Sequence, residues 1–242
     1  MNPELFLQDV ERKPEVLARA VDAWQRENPW SGITALRDFH GTVVLLGMGS
    51  SHYANAFLAQ RLMSRGVNAV AVLASSDLLP HINSQDVVIA VSATGGSVET
   101  LDAVNRVRGK APIIAVTNTA GSALIASSDM SVPMLAEKEV GGVACRSYQH
   151  TVALHLLLEH YLTGEGDPLG AARGAVDACA DLLDRKDEWF PRAYELLLGP
   201  DITAAVAPAR RFANAQQSAL MFREGPRRIA VGCETGDWSH VD

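Results

Sequence analysis

The stretch Val88-Ile89-Ala90-Val91-Ser92-Ala93-Thr94-Gly95-Gly96-Ser97-Val98-Glu99-Thr100 places four hydroxyl side chains, Ser92, Thr94, Ser97 and Thr100, within nine positions around a glycine pair. These residue types suit anion binding, because hydroxyls donate hydrogen bonds and glycines let the backbone turn tightly. β-favouring residues end at Ser92, and from Glu99 to Val107 apolar side chains recur at helical spacing, so the loop joins a strand to a helix N-terminus. The N–H groups of that first turn have no acceptor within the helix and the dipole there is positive, which makes phosphate the natural guest. Ser97 also suits a plain N-cap, with Glu99 and Thr100 in the first turn, but a cap does not need four hydroxyls. A second loop of similar make-up, Gly47-Met48-Gly49-Ser50-Ser51-His52, follows the apolar run Thr42 to Leu46.

The elements that must hold these loops follow from periodicity. Phe6, Val10, Val16, Leu17, Ala20, Val21 and Trp24 recur at spacings of three and four, with Pro14 placed to open a second helix, and a short helix is expected over 33–39. Residues 1–40 therefore form a helical N-terminal arm. Strands are expected at 42–46, 69–73, 88–91, 113–117 and 130–135, with helices after the first loop, after Ser97, near 123–126 and over 152–162. Apolar strands alternating with helices imply an α/β unit over 41–165 with a parallel sheet covered on both faces. On such sheets ligands bind at the carboxyl ends of the strands, where both loops fall. Gly164 to Pro168 reads as a linker. Beyond it, 166–242 holds two helices over 171–183 and 189–198, a strand at 202–206 and a helix at 212–224, the start of a second α/β unit.

At 242 residues and 48% hydrophobic the chain has material for a sizeable core, and its net charge of −7 offers no basic stripe for nucleic acid. Cys145, Cys179 and Cys233 form neither a CxxC pair nor an even disulfide framework, which suits buried thiols in a reducing cytoplasm. No apolar run approaches the roughly 20 residues of a membrane span, and the N-terminus has no secretory pattern. His150, His155 and His160 do not share a helix face, so no metal site is expected. A dinucleotide site is disfavoured, since His52 stands where a third glycine would and Ser75-Ser76 follow the second strand in place of an acidic residue.

Gly47-x-Gly49-Ser50-Ser51-x-x-Ala54, Ser92-x-Thr94-Gly95-x-Ser97 and Glu139-Val140-Gly141-Gly142-Val143-Ala144-Cys145 resemble, in order, the phosphosugar-binding loops and the last-helix segment of the SIS (sugar isomerase) family. The resemblance implies a three-layer, doubly wound, flavodoxin-like parallel sheet and a substrate site formed by Gly49, Ser50, Ser51, Ser92, Ala93, Thr94, Gly95, Ser97, Val143 and Cys145. Ala219-Leu220-Met221-Phe222-Arg223-Glu224, with His240 sixteen positions on, resembles the second SIS repeat of the isomerase half of glucosamine-6-phosphate synthase and related isomerases and deaminases. In that group a glutamate at the Glu224 position moves a proton between C1 and C2, and a histidine at the His240 position helps open the sugar ring. Both types suit an enediol or enolamine route, which needs a base tuned near working pH and a group that handles hydroxyl protons, and no cofactor.

The pattern also departs from the family. Ala93 stands where the synthase has a glutamine, which leaves backbone N–H groups to serve that position, and Ala207-Pro208-Ala209 replaces the second repeat's glycine loop. A full second unit would need on the order of 100 residues more. No glutamine-hydrolysing domain is expected before Gly41. Two function classes stay open: a sugar-phosphate isomerase or amino-sugar-phosphate deaminase with Glu224 and His240 in catalysis, and a non-catalytic sugar-phosphate-binding module. By resemblance the chain forms a homodimer, with His240 able to serve the neighbouring subunit.

Overall fold

The computed structural model describes residues 1–37, 39–199 and 201–241. Two helices, α1 (Pro3–Glu11) and α2 (Lys13–Arg26), make the arm. Asn2 caps α1 by accepting from the N–H of Glu4 and Leu5, and Pro14 stands in the first turn of α2, where its missing N–H costs nothing. The helix expected over 33–39 is only a single 3₁₀ turn, Thr34–Leu36, and Asp38 lies outside the described residues.

The sheet follows as β1 (Val43–Gly47), α3 (Gly49–Ser64), β2 (Ala69–Leu73), β3 (Val87–Val91), α4 (Val98–Val107), β4 (Ile113–Thr117), α5 (Ala123–Ala126) and β5 (Met130–Pro133), with strands and helices alternating except between β2 and β3, which a loop joins. All pairings are parallel and the strand order is β2-β1-β3-β4-β5. Every residue of β1, β3 and β4 is buried, as their unbroken apolar runs require when both faces are covered. Alternate side chains feed two cores. Val43, Leu45, Val87, Ile89 and Val116 pack against α2, α3 and α6 (Arg146–Thr163), while Val44, Leu46, Val88, Ala90 and Ala115 meet α4 and α5. The result is a three-layer, doubly wound α/β fold with helices on both faces.

Past α6, Gly164 ends the helix in the left-handed region at φ 72°. The linker is shorter than its composition suggests, because Asp167 caps α7 (Pro168–Asp184) through the N–H of Gly170 and Pro168 is already helical. Next come α8 (Lys186–Leu198), β6 (Ile202–Ala207), α9 (Phe212–Glu224), β7 (Ile229–Glu234) and α10 (Thr235–Val241). β6 and β7 pair in parallel as a separate two-stranded sheet under α9. A side chain at Gly232 would meet the backbone of Gln216 at 2.9 Å, so strand and helix touch there through glycine alone. β7 is a strand the sequence reading did not separate from the residues around it.

Candidate functional site

Strand order fixes where the two hydroxyl loops meet. The chain leaves β1 toward β2 on one side and returns to β3 on the other, so β1 and β3 flank the switch point of the sheet. Leu46 is opposite Ala90 in their pairing, which brings the loop after Gly47 and the loop after Val91 side by side at the carboxyl edge. Gly49, Ser50 and Ser51 open α3, with Gly49 at φ 49°, and all three are half-buried.

The Ser92 loop is tightly braced from below. Ser92 is buried, its N–H donates to the Val116 carbonyl at 3.0 Å and its own carbonyl accepts from Gly95 N–H at 3.0 Å. The Ala93 carbonyl takes hydrogen bonds from Asn118 N–H (3.0 Å), Thr117 Oγ1 (3.3 Å) and Thr119 Oγ1 (3.4 Å). Gly95, at φ 63°, lies over Ser122, and any side chain there would run into the Ser122 hydroxyl and into Thr117 Oγ1 at 2.9 Å. Glycine is thus required twice over, by conformation and by space. Ser97 does cap α4: its Oγ accepts from Thr100 N–H at 3.3 Å and donates to Glu99 Oε2 at 2.9 Å. Hydrogen bonds from its own backbone N–H and from Ser97 hold the Glu99 carboxyl below the usual range. Thr94 is exposed and its hydroxyl accepts from Gly96 N–H at 3.3 Å. The loop therefore offers hydroxyls and first-turn amides at its rim on a base whose carbonyls are already occupied.

The third segment leads into α6. Glu139 Oε1 accepts from the N–H of Cys145 (2.7 Å), Arg146 (2.6 Å) and Ser147 (3.3 Å), so a carboxylate sits on the N-terminus of α6. Val143 and Cys145 are buried. Burial, with Glu139 beside it, pushes the Cys145 thiol up to about 12, which leaves it protonated and unreactive. Cys179 and Cys233 are half-buried, less enclosed than expected.

α9 ties these pieces together. Its Gln217 donates to the Ala144 carbonyl at 3.3 Å, its Asn214 accepts from the Tyr148 hydroxyl at 2.9 Å, and Leu220 comes within 3.6 Å of where a Gly49 side chain would start. Glu224 lies one helical turn beyond Leu220 on the same face. It is half-buried, and burial raises its pKa above the ordinary carboxylate range, with Arg223 and Arg227 pulling it partly back. His240, on α10, is exposed. Glu224 and the first and third loops are thus gathered around α9, while His240 stands at the surface.

Three side chains around the site were not singled out in the sequence: Ser122 under Gly95, Gln217 on α9, and Asp9, which reaches the third segment from α1. His150 and His155 serve the core. Burial holds them neutral, near 4 and near 3, with His150 Nδ1 against the Met134 carbonyl (3.0 Å) and His155 Nε2 against Asn55 Oδ1 (2.9 Å). Desolvation also lowers the pKa of half-buried His52. Among the described residues no helix is long and apolar enough to cross a membrane.

The sequence matches the SIS domain family over residues 36–160. It is 26% identical to glutamine–fructose-6-phosphate aminotransferase (isomerizing) of Aeropyrum pernix, a match that covers 98% of this chain and 41% of that protein. The enzyme of the same name from Thermotoga maritima is 31% identical over 47% of this chain and 20% of its own length. The chain thus spans less than half of these curated relatives. Among solved structures, the C-terminal domain of glucosamine-fructose-6-phosphate aminotransferase from Francisella tularensis superimposes with a TM-score of 0.81 at 14% identity, over 98% of this chain and 71% of that one. Tagatose-6-phosphate ketose/aldose isomerase from Escherichia coli gives 0.78 at 18% identity, over 98% and 68%. At such identities the structural likeness speaks for the fold, and the family match over more than half of the sequence agrees with the loops themselves: this chain belongs to the SIS domain family.

Proposed function

We propose that the chain binds a sugar phosphate at the β1/β3 edge and moves a proton between C1 and C2 of the sugar, as an aldose–ketose isomerase or an amino-sugar-phosphate deaminase. Ser50, Ser51, Ser92, Thr94, Gly95 and Ser97 hold the phosphate through hydroxyls and first-turn amides, and the backbone at Ala93 serves without a side-chain contact. Val143 and Cys145 line the sugar end through their backbone. Glu224 is the base. The single observation that carries this reading is α9 itself, which packs Leu220 on Gly49 and presents Glu224, with its raised pKa, one turn on. A base held above the ordinary carboxylate range is better matched to removing a carbon-bound proton near neutral pH. Fixing the phosphate at one end then lets the C1–C2 end reach it without further ordering.

Residues 1–40 act as an arm, 41–165 as the phosphate-binding SIS domain, and 166–242 as linker helices and the beginning of a second SIS domain. In a homodimer the exposed His240 serves ring opening in the neighbouring subunit. The exposure of His240 also favours a second reading, a module that binds sugar phosphate without turning it over. One experiment separates them: incubate the protein with a hexose 6-phosphate or hexosamine 6-phosphate in D₂O and follow deuterium at C2. Incorporation that vanishes in Glu224→Gln while binding persists supports the enzyme. Binding with no incorporation in the parent protein leaves the module, and no binding removes both.

A further inference from the structure

The residues matched to the family begin at 36, yet the third segment of the candidate site is held in shape by a side chain from the arm. Residues 136–145 have no regular structure and contain two backbone positions in the left-handed region, Glu137 at φ 53° and Gly142 at φ 84°, so their shape depends on hydrogen bonds from outside. Asn118 holds the start of the segment, accepting from Ala136 N–H at 2.9 Å and donating to the Glu137 carbonyl, and Asp9 of α1 holds its middle. Asp9 is buried, its Oδ2 accepts from the N–H of Val140 (2.8 Å) and Gly141 (2.7 Å), and its Oδ1 accepts from Arg146 Nη1 (3.0 Å). Arg146, itself fully buried, gives Nη1 also to the Asp9 carbonyl (3.0 Å), Nε to the Ala136 carbonyl (2.9 Å) and Nη2 to the Lys138 carbonyl (2.8 Å). One carboxylate and one guanidinium thus clamp both ends of the segment onto α1. The fit is close, since a side chain at Gly141 would strike the backbone of Phe6, and Asn2 N–H donates to the Gly141 carbonyl at 3.1 Å.

The same segment touches α9. Ala144 accepts from Gln217, and Met1 at the head of α1 lies between Gly142 (Met1 Cα 3.5 Å from the side-chain position) and Gly225 (Met1 Cε 3.6 Å), the residue after Glu224. The arm therefore reaches the proton-transfer end of the site, whereas the phosphate loop is braced by β4 and residues 117–122 and meets the third segment at second hand, through Asn118, which bonds Ala136 and Glu137 on one side and the Ala93 carbonyl on the other. We propose that Asp9 is a positioning residue that sets the third segment against the Glu224 end of α9, so that it governs recognition of the sugar and not of the phosphate. This rests on the function proposed above.

The test compares Asp9→Asn and Asp9→Glu with the parent chain. Asparagine keeps the shape but removes the charge and one acceptor face, whereas glutamate keeps both with one more methylene. Affinity is measured for a hexose 6-phosphate and for inorganic phosphate, the latter from the amide resonances of Gly95 and Gly96. The expected result for Asp9→Asn is a loss of sugar-phosphate affinity of tenfold or more, with inorganic phosphate affinity within twofold of the parent and part of the loss recovered in Asp9→Glu. Equal losses for both ligands, or none for either, would overturn the proposal. Should Asp9→Asn not fold, Asn2→Ala loosens only the start of α1, and a selective two- to fivefold loss for the sugar phosphate is expected, with unchanged affinity counting against the proposal. If the parent chain binds no sugar phosphate, the functional reading fails and this proposal with it. A parent that binds and a folded Asp9→Asn that binds equally well removes this proposal alone.

Discussion

The two sheets repeat one strand-and-helix plan in different surroundings. β1, β3 and β4 are buried along their whole length between two helical layers, whereas β6 and β7 contribute a single buried residue, Ala230, and leave Ile202, Val206, Ile229 and Val231 open. The anion loops hang from the first kind of strand, so their positions are set by a closed core. Glu224 is carried by α9, which is placed by close contacts of small residues, Ala213, Ala215 and Ala219, and by Leu220 against Gly49. Binding and chemistry are thus built on supports of different strength.

The largest effect belongs to the exposed side. Glu224→Gln is expected to lower deuterium incorporation at C2 by about 10²- to 10⁴-fold, the usual share of a general base, with the phosphate-induced shifts of Gly95 and Gly96 retained. Loss of both together would mean that α9 supports the loops as well as the chemistry. Since burial raises the pKa of Glu224, exchange should fall off on the acid side at a higher pH than an ordinary carboxylate would give. Its linkage to stability has the opposite sense to a salt-bridged acid. The folded chain keeps the proton where the unfolded chain has lost it, so the contribution is present below the unfolded pKa and fades as pH rises through the folded one.

Next in size is the core itself. Leu45→Ala, in a fully buried position of β1, is expected to cost about 2–5 kcal/mol in denaturant unfolding, while Ile229→Ala, 63% exposed on β7, should cost less than about 0.5 kcal/mol. A comparable loss at Ile229 would show that the second sheet is covered in solution, as the proposed dimer would allow. Acid should find the same dry layer. His150 and His155 titrate near 4 and near 3 in the folded chain against a usual 6.5, so the unfolded chain takes up protons first, and stability is lost as pH falls from about 6.5. Each contributes a slope of up to about 1.4 kcal/mol per pH unit. His155→Gln retains a donor for Asn55 and should remove about half of that slope when urea midpoints are followed from pH 7 to pH 4.

What could be read from the sequence divides along the same line. The buried strands announced themselves because residues covered on both faces form unbroken apolar runs, and hydroxyls beside glycines at strand ends need no distant partner to be recognised. β7 gave no such run, since its apolar stretch of Ile229 to Val231 stops at Gly232, which carries no side chain where α9 crosses it. α6 begins at Arg146, six residues before its apolar stripe, because its first turn is capped by Glu139 and buried by a guanidinium instead of by hydrocarbon. Asp9 reads locally as one more acid on an amphipathic helix. Its partner lies 137 residues away, and the only local hint is that it falls three positions after Phe6, on the inward face.

The smallest effect decides the role of Ser97, where capping and anion binding overlap. Ser97→Ala removes the acceptor for Thr100 N–H and is expected to cost about 1 kcal/mol of stability, as caps usually do. If its hydroxyl also reaches the phosphate, affinity for a hexose 6-phosphate should fall as well, by about tenfold or more for one hydrogen bond to a charged acceptor, worth about 1.5 kcal/mol or above. Ser97→Asp separates the two roles. Aspartate is as good a cap as serine and favourable at the positive end of α4, but it sets a negative charge beside Glu99 where the anion would lie. Stability retained with binding abolished would place the phosphate at this helix end. Binding that survives the aspartate would move the anion toward Ser50 and Ser51, on the β1 side of the switch point, and leave Ser97 as a cap alone.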